Sequence, residues 1–275
     1  MRGATRPRVT LEILKRLEIL LPSIPEQSKV VLALSSATHT VERARAAAEI
    51  QLEAVNALSS SYLHQAFGSP ECSEWPRRQL GDLLARPLRA GISRPGTPSS
   101  TKRCLTLSAV RNGVLDLGAC KPADVSDPEA EGNWVLPGAF YVIRGNGNLS
   151  LVGRGAFAPK EIVGPVLYPD LLIQVLTDKA VVAAEYLRFA WDSREVREDI
   201  EDRARTAAGI HKTSQHSLAQ VRIPVPSIAA QSSLAAKLTE ELAGVTRLQR
   251  AVAEELSETK ALPSALLRRA FSGEL

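Results

Sequence analysis

The chain repeats itself. Leu14–Phe67 aligns without a gap on Leu218–Phe271, 204 positions further on, with about a third of the pairs identical. LPSIPEQS (Leu21–Ser28) meets VPSIAAQS (Val225–Ser232). Leu34 meets Leu238, Val41 meets Val245, Leu52 meets Leu256, and Ala66-Phe67 meets Ala270-Phe271. Shared helical composition alone does not produce a common PSI..QS opening or a common Ala-Phe ending. A repeat of this kind requires two segments with the same local structure.

Each copy reads as a short extended stretch followed by a long helix. Ile223-Pro224-Val225-Pro226 is excluded from a helix interior, because proline has no amide donor and restricts the residue before it. Helix is predicted from about Ala229 in the second copy and after Pro25 in the first, where proline suits an opening turn. Apolar or small residues fall at 30, 34, 37, 41, 44, 48, 55, 58 and 62, in steps of four and three that form a heptad seam. The second copy follows with Leu234, Leu238, Val245, Leu248, Val252, Leu262 and Leu266, interrupted by Glu241, Glu255 and Thr259. A helix of about 40 residues is roughly 60 Å long. It is unstable alone in water, and its seam needs a partner. An antiparallel pairing of the two copies is the economical solution; a four-helix bundle or a homodimeric coiled coil is the alternative.

Between the copies the texture changes. From 73 to about 226 glycine and proline are frequent, and short apolar runs lie between them: Cys104–Val110, Val114–Leu117, Ala139–Ile143, Leu149–Val152, Ile162–Leu167 and Leu171–Leu176. These read as strands. One helix is predicted over about Ala183–Ala208, with Tyr186, Leu187, Ala190, Trp191, Val196 and Ile200 on its apolar side. The expected fold class is α+β: one mixed α/β domain flanked by two long helices that pair as an antiparallel coiled coil.

Chemistry of the enzymatic kinds is not signalled. There is no GxxxxGK[ST], HExxH or GxSxG, and the glycine turns RGNGN and GRGAF lack the context of a dinucleotide fingerprint. No NPPY-like or DPPY-like amino-methyltransferase motif is present. His39, His64, His211 and His216 are scattered, and Asp116, Asp124 and Asp127 form no tight nuclease motif. The cysteines, Cys72, Cys104 and Cys120, are widely spaced, odd in number and without a CxxC pair, so neither a disulfide framework nor a zinc site is expected. No stretch approaches the roughly 20 apolar residues of a membrane span, and no signal sequence is evident, so the expected location is cytoplasmic. The net charge of +4 permits nucleic-acid binding without demanding it. Aromatic residues, at 4%, are too few for a platform that stacks single strands.

IPVPSIAAQ (Ile223–Gln231) and ALPSALLRRAFSGEL (Ala261–Leu275) resemble the spacer start and the chain end of type I restriction–modification specificity subunits. WPRRQLGDLL (Trp75–Leu84) resembles the beginning of a target-recognition domain of that family, and GIHKTSQHSLAQVRIPVP (Gly209–Pro226) resembles the turn leading out of one. The resemblance covers nearly the whole chain from about Leu11. It implies a non-catalytic subunit without a cofactor that binds double-stranded DNA and docks methyltransferase subunits, with a restriction or translocase subunit as a candidate further partner. The implied layout is the residual end of a recognition domain at 1–23, a first spacer helix at 24–72, a recognition domain at 73–226 and a second spacer helix at 227–275. On the family pattern a first recognition domain is missing, so this chain reads one half of a bipartite site, and self-association is one way to restore two readers.

Candidate DNA contacts lie where loops can project hydrogen-bonding or cationic side chains into a groove or onto phosphates. Lys212, Thr213, Ser214 and Gln215 combine a cation with three hydrogen-bonding side chains. Arg144 and Asn146 flank a tight glycine turn, and Arg111 and Asn112 sit in a type I′ hairpin signal, VRNGVL. Arg89 and Arg94 belong to a glycine-bounded basic loop, with Lys102 and Arg103 beyond it. A coiled-coil assembly scaffold without DNA binding is the alternative function. It predicts no salt-dependent DNA retention.

Overall fold

The computed structural model describes residues 9–19, 21–111, 113–207 and 209–272. The repeat governs both ends of the chain. It gives α1 (Leu11–Lys15), α2 (Ile24–Phe67) and the short α3 (Pro70–Ser73) on one side. The intervening segment forms β1 (Arg77–Gln79), β2 (Leu84–Ala90), β3 (Lys102–Leu105), β4 (Val110–Arg111), β5 (Val114–Leu115) and β6 (Cys120–Ala123). Next come α4 (Asp127–Ala130), β7 (Phe140–Ile143), β8 (Gly145–Asn146), β9 (Gly155–Phe157) and β10 (Leu172–Thr177). The segment closes with α5 (Ala184–Trp191), α6 (Arg194–Asp202), β11 (Arg205–Ala207) and β12 (Ile210–Lys212). The second repeat copy then supplies α7 (Gln215–Ala219), β13 (Arg222–Pro224) and α8 (Ile228–Ser272).

The two copies start in the same register. Ile24 opens α2 and Ile228, 204 positions later, opens α8. The short helices before them correspond as well. The Thr10 side chain caps α1 by accepting from the Ile13 amide, and Ser214 caps α7 by accepting from the Ser217 amide. Gln27 donates to the Pro22 carbonyl at 2.8 Å and Gln231 to the Pro226 carbonyl at 2.9 Å. One side-chain clamp thus folds the proline stretch onto the helix start in both copies.

The chain divides into two compact units, Val55–Arg247 and the remainder. Both long helices contribute to both units. In the larger unit the main sheet has six strands in the order β2-β10-β7-β9-β5-β4, with β5 and β9 parallel. The apolar strands β7 and β10 lie in its interior and pair antiparallel, Ile173 opposite Val142. One core lies between this sheet, α5, α6 and the helix segments of the unit; it includes Phe67, Phe140, Tyr186, Trp191, Ile223 and Leu238. A second core around Leu105, Tyr141, Tyr168 and Leu172 also uses sheet residues. Smaller sheets pair β1 with β13, β3 with β6, and β12 with both β11 and β8. Cys72 and Cys104 are buried, and burial pushes both thiols up to about 11.

Several local expectations need revision. The helix predicted over 183–208 is two helices, broken at Asp192-Ser193, and ends in β11. The Ser193 hydroxyl and amide both turn back to the Ala190 carbonyl, which closes α5. Leu149–Leu151 is a 3-10 turn, not a strand. Cys104–Val110 continues β3 only as far as Leu105 before a 3-10 turn. Ile162–Leu167 forms no strand: Gly164 has φ +80, Pro165 has no amide to donate, and only isolated bridges form at Leu167. In α8 the covered positions pass through Gln249 and Pro263, while Leu248 and Leu262 are exposed.

The same glutamine meets different surroundings in the two copies. Gln231 is fully buried; it also donates to the Val181 carbonyl and accepts from the Ala183 amide that begins α5, each at 2.9 Å. Gln27 is half-buried, and its bond to Pro22 is at the surface. Gln231→Leu is expected to cost about 2–3 kcal/mol, because it strands the buried Pro226 carbonyl together with the half-buried Val181 carbonyl and Ala183 amide. Gln27→Leu should stay within about 0.5 kcal/mol. Denaturation followed by circular dichroism compares them, and equal losses would show that the bonds to Val181 and Ala183 carry no weight.

Candidate nucleic-acid interface

The predicted contact residues collect in two places on the α/β domain, with Arg111 and Arg103 outside both sets of contacts. The first place surrounds α4 and the turn after it. Arg94 pairs with Glu129 at 3.1 Å, and Lys102 pairs with Asp127 at 2.7 Å. Arg89 reaches the Glu131 carbonyl through a long 3.4 Å bond. Ser126 and Glu129 form a reciprocal capping box that fixes the start of α4. Both acidic partners are therefore held in place. Hydrogen bonds from Ser126, with Arg94 in addition, hold the Glu129 carboxyl below the usual carboxylate range. The Lys102 ammonium does the same for Asp127. Arg103 projects from the exposed face of β3, opposite Pro122.

The second place is the three-stranded sheet. Gly145 lies opposite Lys212, and Asn146 opposite His211. A Cβ on Gly145 would stand 2.8 Å from the Lys212 Cγ, so glycine here lets the lysine stem cross the strand. The Thr213 amide donates to the Arg144 carbonyl at 2.9 Å, and the Arg144 Nε donates to the Thr213 carbonyl at 3.3 Å. Within KTSQ the residues divide. Lys212 is exposed, Gln215 is half-buried, Thr213 is only 2% exposed, and Ser214 is engaged as the α7 cap. Asn146 accepts from the Asn148 amide and shapes the following turn. Arg111 is exposed at the β4–β5 hairpin, with its Nε on the Ser108 carbonyl. Asn112 lies outside the described residues; its neighbour Gly113 has φ +75, in keeping with the turn signal.

A third feature, absent from the sequence-based expectations, is a groove of about 490 Å³ beside the edge strand β2. Arg86 and Arg89 stand along β2 with Pro87 and Leu88 between them, while Trp134 and Gln174 lie across the groove. Gln174 sits opposite Arg89 in the β10–β2 register. Two signals in the chain could have exposed it. A proline between two arginines in LARPLRA marks a sheet edge, and Gln174 is the lone polar residue in the run LLIQVL. Among the described residues no three His, Cys, Asp or Glu side chains group as a metal site, and no helix is long and apolar enough to cross a membrane.

No protein-family model matches the chain. In sequence it is 24% identical over 207 residues to the type I restriction enzyme EcoKI specificity subunit of Escherichia coli K12, covering 75% of this chain and 44% of that protein. In fold it resembles a chain from a structural study of complex assembly and conformational transition in the type I restriction–modification system. That match has a TM-score of 0.76 at 20% identity and covers all of this chain and 66% of the other. The HsdS subunit from Thermoanaerobacter tengcongensis matches with a TM-score of 0.55 at 19% identity, over all of this chain and 65% of that one. The chain spans less than half the length of its curated relative and about two thirds of each structural one. The sequence match establishes homology to type I specificity subunits; the structural matches show the fold.

Proposed function

We propose, from that homology, that this chain is a non-catalytic specificity subunit of a type I restriction–modification complex. Its α/β domain, 73–226, reads one half of a bipartite site in double-stranded DNA. The long helices, spanning 24–72 and 227–275, act as spacers and dock methyltransferase subunits, which carry the methyl donor and the chemistry. The sequence match over 207 residues is the observation that carries the reading. The internal repeat supports it, because it supplies two spacers of one design around one reader. In each compact unit the two helix segments are proposed to pack antiparallel as a coiled coil. In support, Val30 and Leu34 of α2 line one pocket with Ala270 and Phe271 of α8, and Tyr62 and Ala66 line another with Ala230 and Leu234.

The segment up to 23 is proposed to be the counterpart of the reader's exit. Its Leu14, Leu17, Ile19 and Leu21 are exposed, whereas their repeat partners Leu218, Val221, Ile223 and Val225 are buried against the domain. A further domain, or self-association, would cover them. The two residue clusters supply the proposed DNA contacts: Arg89, Arg94 and Lys102 in one, and Arg144, Asn146 and Lys212–Gln215 in the other, with Arg103 on β3 and Arg111 and Asn112 at the hairpin. Thr213 and Ser214 would serve by holding Lys212 and Gln215 in position.

The reading is tested by mapping methylated sites in the genome of the source organism with the gene present and then deleted. Loss of one bipartite motif is the expected result. An unchanged map, together with no salt-dependent DNA retention by the purified chain, would favour an assembly scaffold.

A further inference from the structure

We infer that the groove beside β2 is where the α/β domain reads a base, and that Gln174 is the specificity-determining residue there. The inference rests on the DNA-reading function proposed above and adds the place and chemistry of one contact. Gln174 lies between Ile173 and Val175 in an interior strand and is only 7% exposed. A carboxamide at such a position is costly unless its hydrogen-bonding groups are used. One is: its Nε2 donates to the Tyr141 hydroxyl at 2.7 Å. That hydroxyl also accepts from the Leu136 amide at 2.9 Å, so its oxygen is fixed from two sides. A glutamine amide has one acceptor and two donor hydrogens. The Tyr141 bond uses one donor and locks the plane of the group, and the groove is what the remainder faces. An amide that offers one donor and one acceptor side by side matches the N6 and N7 edge of adenine.

The rest of the groove suits nucleic acid better than a peptide. Pro87 sits at the middle of the edge strand and removes the amide that strand addition would need. Arg89 is held by the backbone opposite: Gly132 has φ +77, and a Cβ there would collide with the Arg89 Nη1, so a bare glycine leaves room for the guanidinium. Among the described residues neither Arg86 nor Arg89 has a carboxylate partner, in contrast to Arg94 and Lys102. Two uncompensated cations on the rim provide for phosphate, and Trp134 provides an apolar wall. The geometry therefore separates the roles: Arg86 and Arg89 set the position of the strand, and Gln174 reads the base.

The test is selection of duplexes from a randomised pool by the full-length chain, wild type beside Gln174→Glu and the pair Arg86→Gln/Arg89→Gln. Glutamate keeps the size of the side chain but only accepts, so it exchanges an adenine preference for one that offers a donor, such as cytosine. Q174E should change the selected motif at one position and leave the others unaltered. The arginine pair should keep the motif, weaken binding uniformly and reduce the salt slope by about 2. Should Q174E fail to fold, Gln174→Met, similar in length and without the amide's donor and acceptor, replaces it and should relax the motif at the same single position. A wild-type motif that Q174E and the arginine pair leave untouched in sequence and salt slope overturns the groove as a reader while DNA reading stands. A wild-type chain that selects no motif overturns both.

Discussion

Phe67→Ala is expected to destabilise the chain by about 3–5 kcal/mol, whereas Phe271→Ala should change stability by no more than about 0.5 kcal/mol. The two phenylalanines occupy the same position of the repeat, at the ends of matching helices. Their surroundings differ completely. Phe67 is 4% exposed, its ring centre is 5.9 Å from that of Tyr186, and it belongs to a core with Cys72 and Leu238. The Tyr186 hydroxyl donates to the Pro224 carbonyl at 2.7 Å, so the aromatic contact joins the end of α2 to the strand that precedes α8. Truncating Phe67 removes buried area and leaves a void against a ring that cannot follow. Phe271 is 72% exposed and gives up little. Urea denaturation of both variants, monitored by circular dichroism, measures the difference. A large loss for Phe271→Ala would mean that something covers this face in solution.

Trp191→Ala should cost about 3–5 kcal/mol as well, and Trp191→Phe about 1–3 kcal/mol. Trp191 is 1% exposed and ends α5. Its ring meets Phe140 of β7 nearly edge-on, at 5.4 Å and 80°, which fastens the helix to the middle of the main sheet. Its Nε1 donates to the Gly153 carbonyl at 2.7 Å in a fully buried bond. Alanine removes both the packing and the donor; phenylalanine retains most of the packing and leaves the carbonyl unpaired. Denaturation midpoints separate the two contributions. If phenylalanine is as damaging as alanine, the hydrogen bond outweighs the ring contact.

What could be read from the chain beforehand followed the length of each signal. The long helices extend over six heptads, and their repeat placed Ile24 and Ile228 within a residue or two of the expected starts. Within the α/β domain the periods are too short for that. Three apolar residues and a serine at Leu149–Val152 suit a strand or a tight turn equally, and the turn forms because Asn148 caps it by accepting from the Ser150 amide. Of the expected seam Val41, Ala48, Val55, Leu238, Val245 and Val252 are buried; Leu248 and Leu262 entered it by hydrophobicity alone and are exposed, whereas Thr259, read as an interruption, is buried. For the interface, charge in loops was legible and the fixed partners were not. Glu129 and Asp127 lie 35 and 25 positions from the cations they bind, a distance over which sequence pattern carries no information. Arg86 and Gln174 escaped notice because the groove arises only when β2 and β10 pair.

The pairing of β1 with β13 has an architectural consequence. Arg77 faces Pro224, Gln79 faces Arg222, and the Val225 amide reaches back to the Pro76 carbonyl at 2.8 Å. Everything from 77 to 224 therefore leaves and returns through one two-stranded doorway. A cassette whose own first and last strands zip together there, and which offers Phe67 and Leu238 an equivalent apolar face, could be spliced in between the same helices. What lies between these two strands and how long the helices outside them run are thus free to change independently.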